Sequence, residues 1–148
     1  MKNILLSLLL VGASLGGILP VAAAGEGNKG TTKNQMTIKI GEKTFTATLE
    51  DNATATAFKA TLPLTLKMGD VNSNEKAGRL SAKLPTKDSN PGRIQTGDLM
   101  IWTSQTLVLF YQSFPTSYSY TKVGRIDDAS GLAAAVGAGN VTATFELK

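Results

Sequence analysis

The sequence predicts a single, mainly β domain in which about eight short strands and two short helices form a closed barrel or a sandwich. Apolar and polar residues alternate in several short stretches, which is the period of a half-buried strand. Short polar or glycine-containing segments join most of these stretches and favour antiparallel neighbours. A chain of 148 residues without an internal repeat is expected to form one domain. Successive strands with short turns are typical of barrels and sandwiches.

The first two strands are predicted to form a hairpin. Apolar residues occupy every second position of 36–40 and again of 45–49, and Gly41 begins the turn between them. A short helix is expected next, because Ala55, Phe58 and Leu62 lie at spacings of three and four on one face. Asp51 or Asn52 can cap the start of this helix, and Pro63 ends it.

The middle of the chain is predicted to alternate between strands and polar connections. The residues from 106 to 111 are nearly all apolar, and a strand of this kind is usually covered on both faces. The strands are expected at 64–68, 99–102, 106–111 and 118–126, with turns at 70–74 and 103–105 and a long polar segment at 81–96.

The second helix is predicted at 132–136, with Ser130 as a possible cap at its start. Gly137 and Gly139 are typical residues at the end of a helix. A last strand is expected at 141–147, where Val141, Ala143 and Phe145 alternate with polar residues.

The N-terminal segment predicts export. Lys2, an apolar run from Ile4 to Leu19, and small residues up to Ala24 are typical of a secretory signal peptide. The alternative is an uncleaved anchor, but the run is shorter than the about 20 residues of a spanning helix. We therefore expect a signal peptide at 1–24, a flexible linker at 25–35 and the domain at 36–148. The processed chain is expected to be secreted or periplasmic, without a stable membrane anchor.

The chain contains neither histidine nor cysteine. This composition excludes catalytic triads that use histidine, ordinary zinc sites, iron–sulfur clusters and disulfides. We expect no cofactor and no metal, because Asp127 and Asp128 more simply favour the start of the following helix. The lysines are scattered and the net charge is +4, so no nucleic-acid groove is expected.

Several sequence segments carry a family resemblance. They are TFTATLEDNATATAFKATLPLTL, NSNEK, GDLMIW, LVLFYQSFPTSYSYTKVGRIDD and GLAAAVGAGNVTATFEL. Together they resemble the bacterial cyclophilin-like fold family, which implies an eight-stranded barrel with two helices at or near its ends. Ala77, Gly78 and Arg79 stand where the family pattern has bulkier residues. The Phe-His-Arg motif of true cyclophilins has no counterpart, so no residue inherits the catalytic arginine's role.

The candidate ligand-binding residues are aromatic, hydroxyl-bearing or acidic side chains. Aromatic rings can hold an apolar ligand or a proline ring, although on alternating strands they more often pack in the core. Ser117, Tyr118 and Tyr120 suggest an adaptable contact surface, since tyrosine offers contact area at low entropic cost. Glu75 is either a ligand contact or half of an ion pair with Lys76. The complete set is Trp102, Phe110, Tyr111, Ser117, Tyr118, Tyr120 and Glu75.

The expected function is binding of a small molecule or a peptide without covalent catalysis. The alternative is a weak peptidyl-prolyl cis–trans isomerase acting on exported proteins. Isomerisation needs a cation beside the imide nitrogen, for which Arg125 is the first candidate, followed by Arg93 and Arg79. A third possibility is an accessory module without a pocket. The sequence leaves the oligomeric state open.

Overall fold

The computed structural model describes residues 34–148, which form a closed antiparallel β-barrel with two short helices. The predicted signal peptide and nearly all of the predicted linker lie outside the described residues. The elements are β1 Gln35–Ile40, β2 Lys43–Leu49, α1 Ala53–Lys59, β3 Leu64–Val71, β4 Glu75–Arg79, β5 Arg93–Ile94, β6 Asp98–Trp102, β7 Thr106–Phe110, β8 Phe114–Pro115, β9 Thr121–Ile126, α2 Leu132–Val136 and β10 Val141–Leu147.

Eight strands close the barrel in the order β1–β10–β3–β4–β7–β6–β9–β2, and β2 pairs again with β1. The two remaining strands, β5 and β8, form a separate two-stranded sheet. The prediction of about eight strands and two short helices is therefore confirmed. Because the strands close on themselves, the fold is a barrel and not a sandwich.

The barrel interior is filled by alternate residues of the strands, as the period-two pattern predicts. Phe145 of β10 contacts Phe58 of α1 edge to face, with ring centroids 5.8 Å apart, so the first helix packs on the core. Asn52 caps this helix by accepting a hydrogen bond from the amide of Ala55 at 2.7 Å. Leu132 and Val136 bury the second helix against the same core.

Three local predictions are wrong in detail. The first helix ends at Lys59, because Leu62 precedes a proline and the amides of Thr61 and Leu62 form tighter turn bonds instead. The strand predicted at 118–126 begins only at Thr121. The residue at the start of the second helix is Gly131, which has a positive φ, and no side chain accepts a hydrogen bond from the first helix amides, so Ser130 does not cap the helix.

Strand β7 is covered on both faces, as its continuous apolar sequence predicts. Leu107 and Leu109 point into the barrel, whereas Val108 and Phe110 belong to a second apolar cluster on the outer wall. This outer cluster consists of Ile94, Met100, Val108, Phe110 and Tyr120, with Ala77 and Phe114 packed against it. Ile94 and Phe114 connect the small β5–β8 sheet to this outer cluster.

Neither helix described between residues 34 and 148 has the length and apolar character needed to cross a membrane.

Candidate functional site

A pocket of about 250 Å³ opens on the outer wall of the barrel, beside the outer cluster. Strands β4, β7 and β6 are neighbours in the wall and supply most of its lining. We call it the outer pocket, and its lining residues are Val71, Asn72, Glu75, Ala77, Trp102, Thr106, Val108, Tyr118 and Tyr120.

The strand register explains why these residues share one face. Ala77 of β4 is paired with Val108 of β7, and Trp102 of β6 is paired with Thr106 of β7. Glu75 lies two residues before Ala77, so both side chains point to the same side of the wall. The buried Val108 therefore lies at the base of the pocket and joins it to the outer cluster.

Large apolar side chains are exposed around the mouth of the pocket. Trp102 is 46% exposed, Tyr118 66% and Val71 37%. Among the described residues the only other large hydrophobic side chain exposed to this degree is Leu147, which lies outside the pocket. Four other surface depressions of the described part contain neither tryptophan nor tyrosine. The exposed apolar surface is thus concentrated at this pocket.

The tyrosines reach the pocket from the connection between β7 and β9, residues 111–120. Tyr120 exchanges two backbone hydrogen bonds with Ser89, at 2.9 and 3.0 Å, which accounts for the late start of β9. Its ring meets Phe110 edge to face, with centroids 5.5 Å apart. The amide of Tyr118 donates to the hydroxyl of Thr116 at 3.1 Å. Tyr120 is therefore held by Ser89 and by Phe110 of β7, and Tyr118 by a contact within its own loop.

Glu75 is the one charged residue that lines the outer pocket. Its carboxylate has no hydrogen bond or ion pair with any residue between 34 and 148. Partial burial, and secondarily the charge of Asp70, raises the pKa of Glu75 to about 6. Burial, followed by the charge of Glu75, also raises the pKa of Tyr120. At neutral pH the pocket therefore holds an anion beside aromatic rings.

Lys76 does not form the ion pair with Glu75 that the sequence left open. Its side chain is completely buried on the opposite face of β4, and Nζ lies 2.9 Å from Oδ1 of Asp70. Nζ also donates to the carbonyls of Gly137 and Gly139, at 2.8 and 2.6 Å. Lys76 thus binds the segment after α2 to the end of the barrel and leaves Glu75 without a cation.

Tyr111 belongs to this buried lysine cluster and does not line the outer pocket. Its hydroxyl donates to Oδ1 of Asp70 at 2.6 Å, and its ring centroid is 5.2 Å from Nζ of Lys76. The hydrogen bond to Asp70, together with burial, raises the pKa of Tyr111 to about 12. The same bond and the one from Lys76 lower the pKa of Asp70.

Of the predicted ligand-binding residues, the structure brings Glu75, Trp102, Tyr118 and Tyr120 together in the outer pocket. Phe110 is fully buried behind Tyr120, in the outer cluster. Ser117 is exposed on the connection between β7 and β9, where its carbonyl accepts a hydrogen bond from Asn90 at 3.4 Å.

The candidate arginines lie away from the lining. Arg125 donates through Nε to the nearly buried Asp98 at 2.9 Å. Arg79 follows Glu75 and Ala77 on the same face of β4 but donates to Gln105 at 3.0 Å. Arg93 lies in the β5–β8 sheet. No arginine or lysine occurs among the described residues that line the pocket.

Five lining residues do not belong to the predicted ligand-binding set: Val71, Asn72, Ala77, Thr106 and Val108. Asn72 lies in the β3–β4 turn with a φ of 54°, and only strand pairing places that turn beside Trp102. The alternation of β4 could have indicated that Ala77 shares a face with Glu75. Within residues 34–148 no three acidic side chains gather as a metal site.

Comparison with known proteins identifies the family. The chain matches the model of the cyclophilin-like family over residues 38–146. The chain belongs to the cyclophilin-like family. The matched range includes every strand of the barrel wall at least in part, so this cyclophilin-like domain accounts for nearly all described residues.

The barrel of this cyclophilin-like domain is similar to the solution structure of a hypothetical protein from Archaeoglobus fulgidus. The two share 17% sequence identity with a TM-score of 0.55, and the match covers 80% of this chain and 97% of the archaeal one. At that identity the similarity concerns the fold alone. A search of curated proteins gave no match.

Proposed function

We propose that this chain is exported and that its cyclophilin-like domain binds a small ligand, or one side chain of a peptide, in the outer pocket without covalent catalysis. The observation that carries the proposal is the concentration of exposed apolar side chains around the pocket: Trp102, Tyr118 and Val71 surround a buried apolar base. Exposed apolar patches on a soluble domain commonly mark interaction sites. Export is supported by the signal-like sequence at residues 1–24.

The size of the pocket limits what it can hold. Drug-sized ligands usually occupy cavities of about 300 to 1,000 Å³. The outer pocket measures about 250 Å³. A small metabolite, or one apolar side chain of a peptide, fits this volume better than a nucleotide or a large cofactor does.

The lining favours binding over catalysis. The hydroxyls of Thr106, Tyr118 and Tyr120 lack a neighbouring histidine or lysine that would activate them as nucleophiles. Glu75 has no second carboxylate beside it in the lining. The isomerase alternative needs a cation near the bound proline, and the described lining contains none. We therefore do not propose isomerisation.

The test uses Trp102, which is the only tryptophan of the chain and lies at the pocket mouth. Pools of small metabolites and Xaa-Pro peptides are titrated into isotope-labelled protein, and tryptophan fluorescence and amide resonances are followed. We expect one pool to change the fluorescence and to shift resonances of Ala77, Thr106 and Val108. Tyr118→Ala should weaken that binding, whereas Leu147→Ala, an exposed apolar change elsewhere, should not. If no pool perturbs these signals, the proposal fails.

A further inference from the structure

We propose that the outer pocket selects organic cations, in which an ammonium group is carried on a small apolar group. This inference rests on the proposed binding function and adds the chemical class of the ligand. Its basis is one juxtaposition: the unpaired carboxylate of Glu75 shares the pocket with the rings of Trp102, Tyr118 and Tyr120.

The first step of the argument concerns charge. A half-buried carboxylate is stabilised by an opposite charge, and the nearest cation along the chain cannot supply it. Lys76 points to the other side of the wall, where Asp70 and two carbonyls take its hydrogen bonds. Arg79, the next residue on the Glu75 face beyond Ala77, is turned to Gln105 and does not line the pocket. No described residue therefore forms an ion pair with Glu75, and a cationic ligand can supply the opposite charge.

The second step concerns the rings. The face of an aromatic ring carries negative potential and attracts an ammonium group. Among tryptophan, tyrosine and phenylalanine, tryptophan gives the strongest attraction. The pocket presents one tryptophan and two tyrosines beside Glu75. Apolar Val71, Ala77 and Val108 complete the lining and can contact methyl or methylene groups around the nitrogen.

The third step excludes the competing ligand classes. An anionic ligand would meet the charge of Glu75 without any lysine or arginine in the lining. A bare metal ion would find a single carboxylate, and no group of three acidic residues exists within residues 34–148. A purely apolar ligand would leave the Glu75 carboxylate desolvated and unpaired, which is unfavourable. An organic cation satisfies both the carboxylate and the rings.

The test compares choline with its uncharged isostere, in which carbon replaces the quaternary nitrogen, at neutral pH. Binding is followed by Trp102 fluorescence and by the amide resonances of the pocket strands. We expect choline to bind at least about fivefold more tightly than the isostere, from the charge pair and the ring contacts together. Added salt should weaken choline binding and leave the isostere unaffected.

Variants separate the contributions of charge and rings. Glu75→Gln should reduce the preference for choline to the part that the rings supply and should not weaken binding of the isostere, while Glu42→Gln, an exposed change in the β1–β2 turn, should preserve the full preference. Trp102→Leu should weaken choline binding as seen by the amide resonances. A trimethyllysine dipeptide blocked at both ends, tested in parallel, distinguishes a peptide source of the cation from a free one.

The outcomes distinguish this inference from the proposed function. Equal affinity for choline and its isostere would overturn the selection of cations while leaving a binding pocket. Binding of only a neutral or anionic member of the metabolite and peptide pools would also overturn the selection of cations and leave a binding pocket. If neither cationic probe, nor the isostere, nor any pool perturbs the pocket, both proposals fail.

Discussion

Glu75 and Lys76 are consecutive residues of β4, and their side chains lie on opposite sides of the barrel wall. Lys76 is completely buried and bound to Asp70, whereas Glu75 lines the outer pocket without an ionic partner. The alternation of a β-strand thus separates two opposite charges that are adjacent in the sequence. The ammonium group of Lys76 binds the segment after α2 to the barrel, and the carboxylate of Glu75 is available to a ligand.

Lys76→Met should destabilise the domain strongly. The change removes three hydrogen bonds of Nζ and leaves Asp70 without its cation. Loss of one partner of a buried pair typically costs about 3 kcal/mol. The free energy of unfolding in urea measures the effect. Lys39→Met, which changes an exposed lysine of β1, should stay within about 0.5 kcal/mol of the parent. Equal stability of the two variants would contradict a structural role for Lys76.

Glu75 should make stability decrease as pH rises between about 4.5 and 6. Its pKa is raised from 4.5 to about 6, mainly by burial, so in this range the folded state retains a proton that the unfolded chain has released. Glu75→Gln lacks this titration and should gain stability relative to the parent as pH rises. Because the carboxylate is half exposed, the gain should stay below about 1 kcal/mol.

The control for this titration is Glu42→Gln, which should follow the parent at every pH. Asp70, whose pKa is lowered, titrates in the opposite sense and at lower pH, outside the range in which Glu75 titrates. Urea unfolding at a series of pH values provides the measurement. A pH-independent difference between Glu75→Gln and the parent would refute the raised pKa.

Gly124→Ala should destabilise the barrel, because β2 and β9 approach closely at this residue. A Cβ atom on Gly124 would lie 2.5 Å from the carbonyl oxygen of Thr48 and 3.2 Å from Cα of Leu49, which are backbone atoms. Overpacking of this kind typically costs about 1 to 3 kcal/mol. Gly69→Ala is the matched control, since its Cβ would meet only the side chain of Asn140 at 3.4 Å. Thermal unfolding should show a clearly larger loss for Gly124→Ala.

The double change Thr103→Asn and Ser104→Gly should stabilise the β6–β7 hairpin that carries Trp102. Both residues have positive φ, 53° and 63°, and they are the first two of the three residues between the paired Trp102 and Thr106. Asn-Gly is favoured there, whereas a β-branched residue is strained. We expect a gain of about 1 kcal/mol in thermal unfolding. Thr142→Asn, an exposed change within β10, should give no gain, and a loss in the double variant would contradict the assigned turn.

Export should produce a chain that begins at Gly25. Small residues at Ala22 and Ala24 suit signal peptidase, so cleavage is expected after Ala24. Mass spectrometry of the protein from the secreted or periplasmic fraction measures its first residue. Ala24→Leu should slow processing, whereas Ala23→Leu should have a smaller effect. A full-length chain retained in the membrane fraction would support an uncleaved anchor instead.

The sequence by itself determined the class of fold and most of its elements. Period-two alternation located β1, β2 and β10, and the apolar run at 106–111 predicted a strand covered on both faces. Asp51 and Asn52 together marked the start of α1, where Asn52 is the cap. These features depend on residues that are close in the chain, so a local pattern records them. The same holds for Gly137 and Gly139, whose positive φ values follow α2.

Only the tertiary structure decided where the candidate site lies. Glu75, Trp102 and Tyr118 come together because β4, β7 and β6 are neighbours in the closed barrel and Ser89 holds the connection that carries the tyrosines. The sequence could not predict that Tyr111 lies at the end of the barrel or that Lys76 pairs with Asp70. Alternation shows that a strand has two faces, but it does not show which face points into the barrel. That choice depends on pairing between residues far apart in the chain, which barrel closure alone establishes.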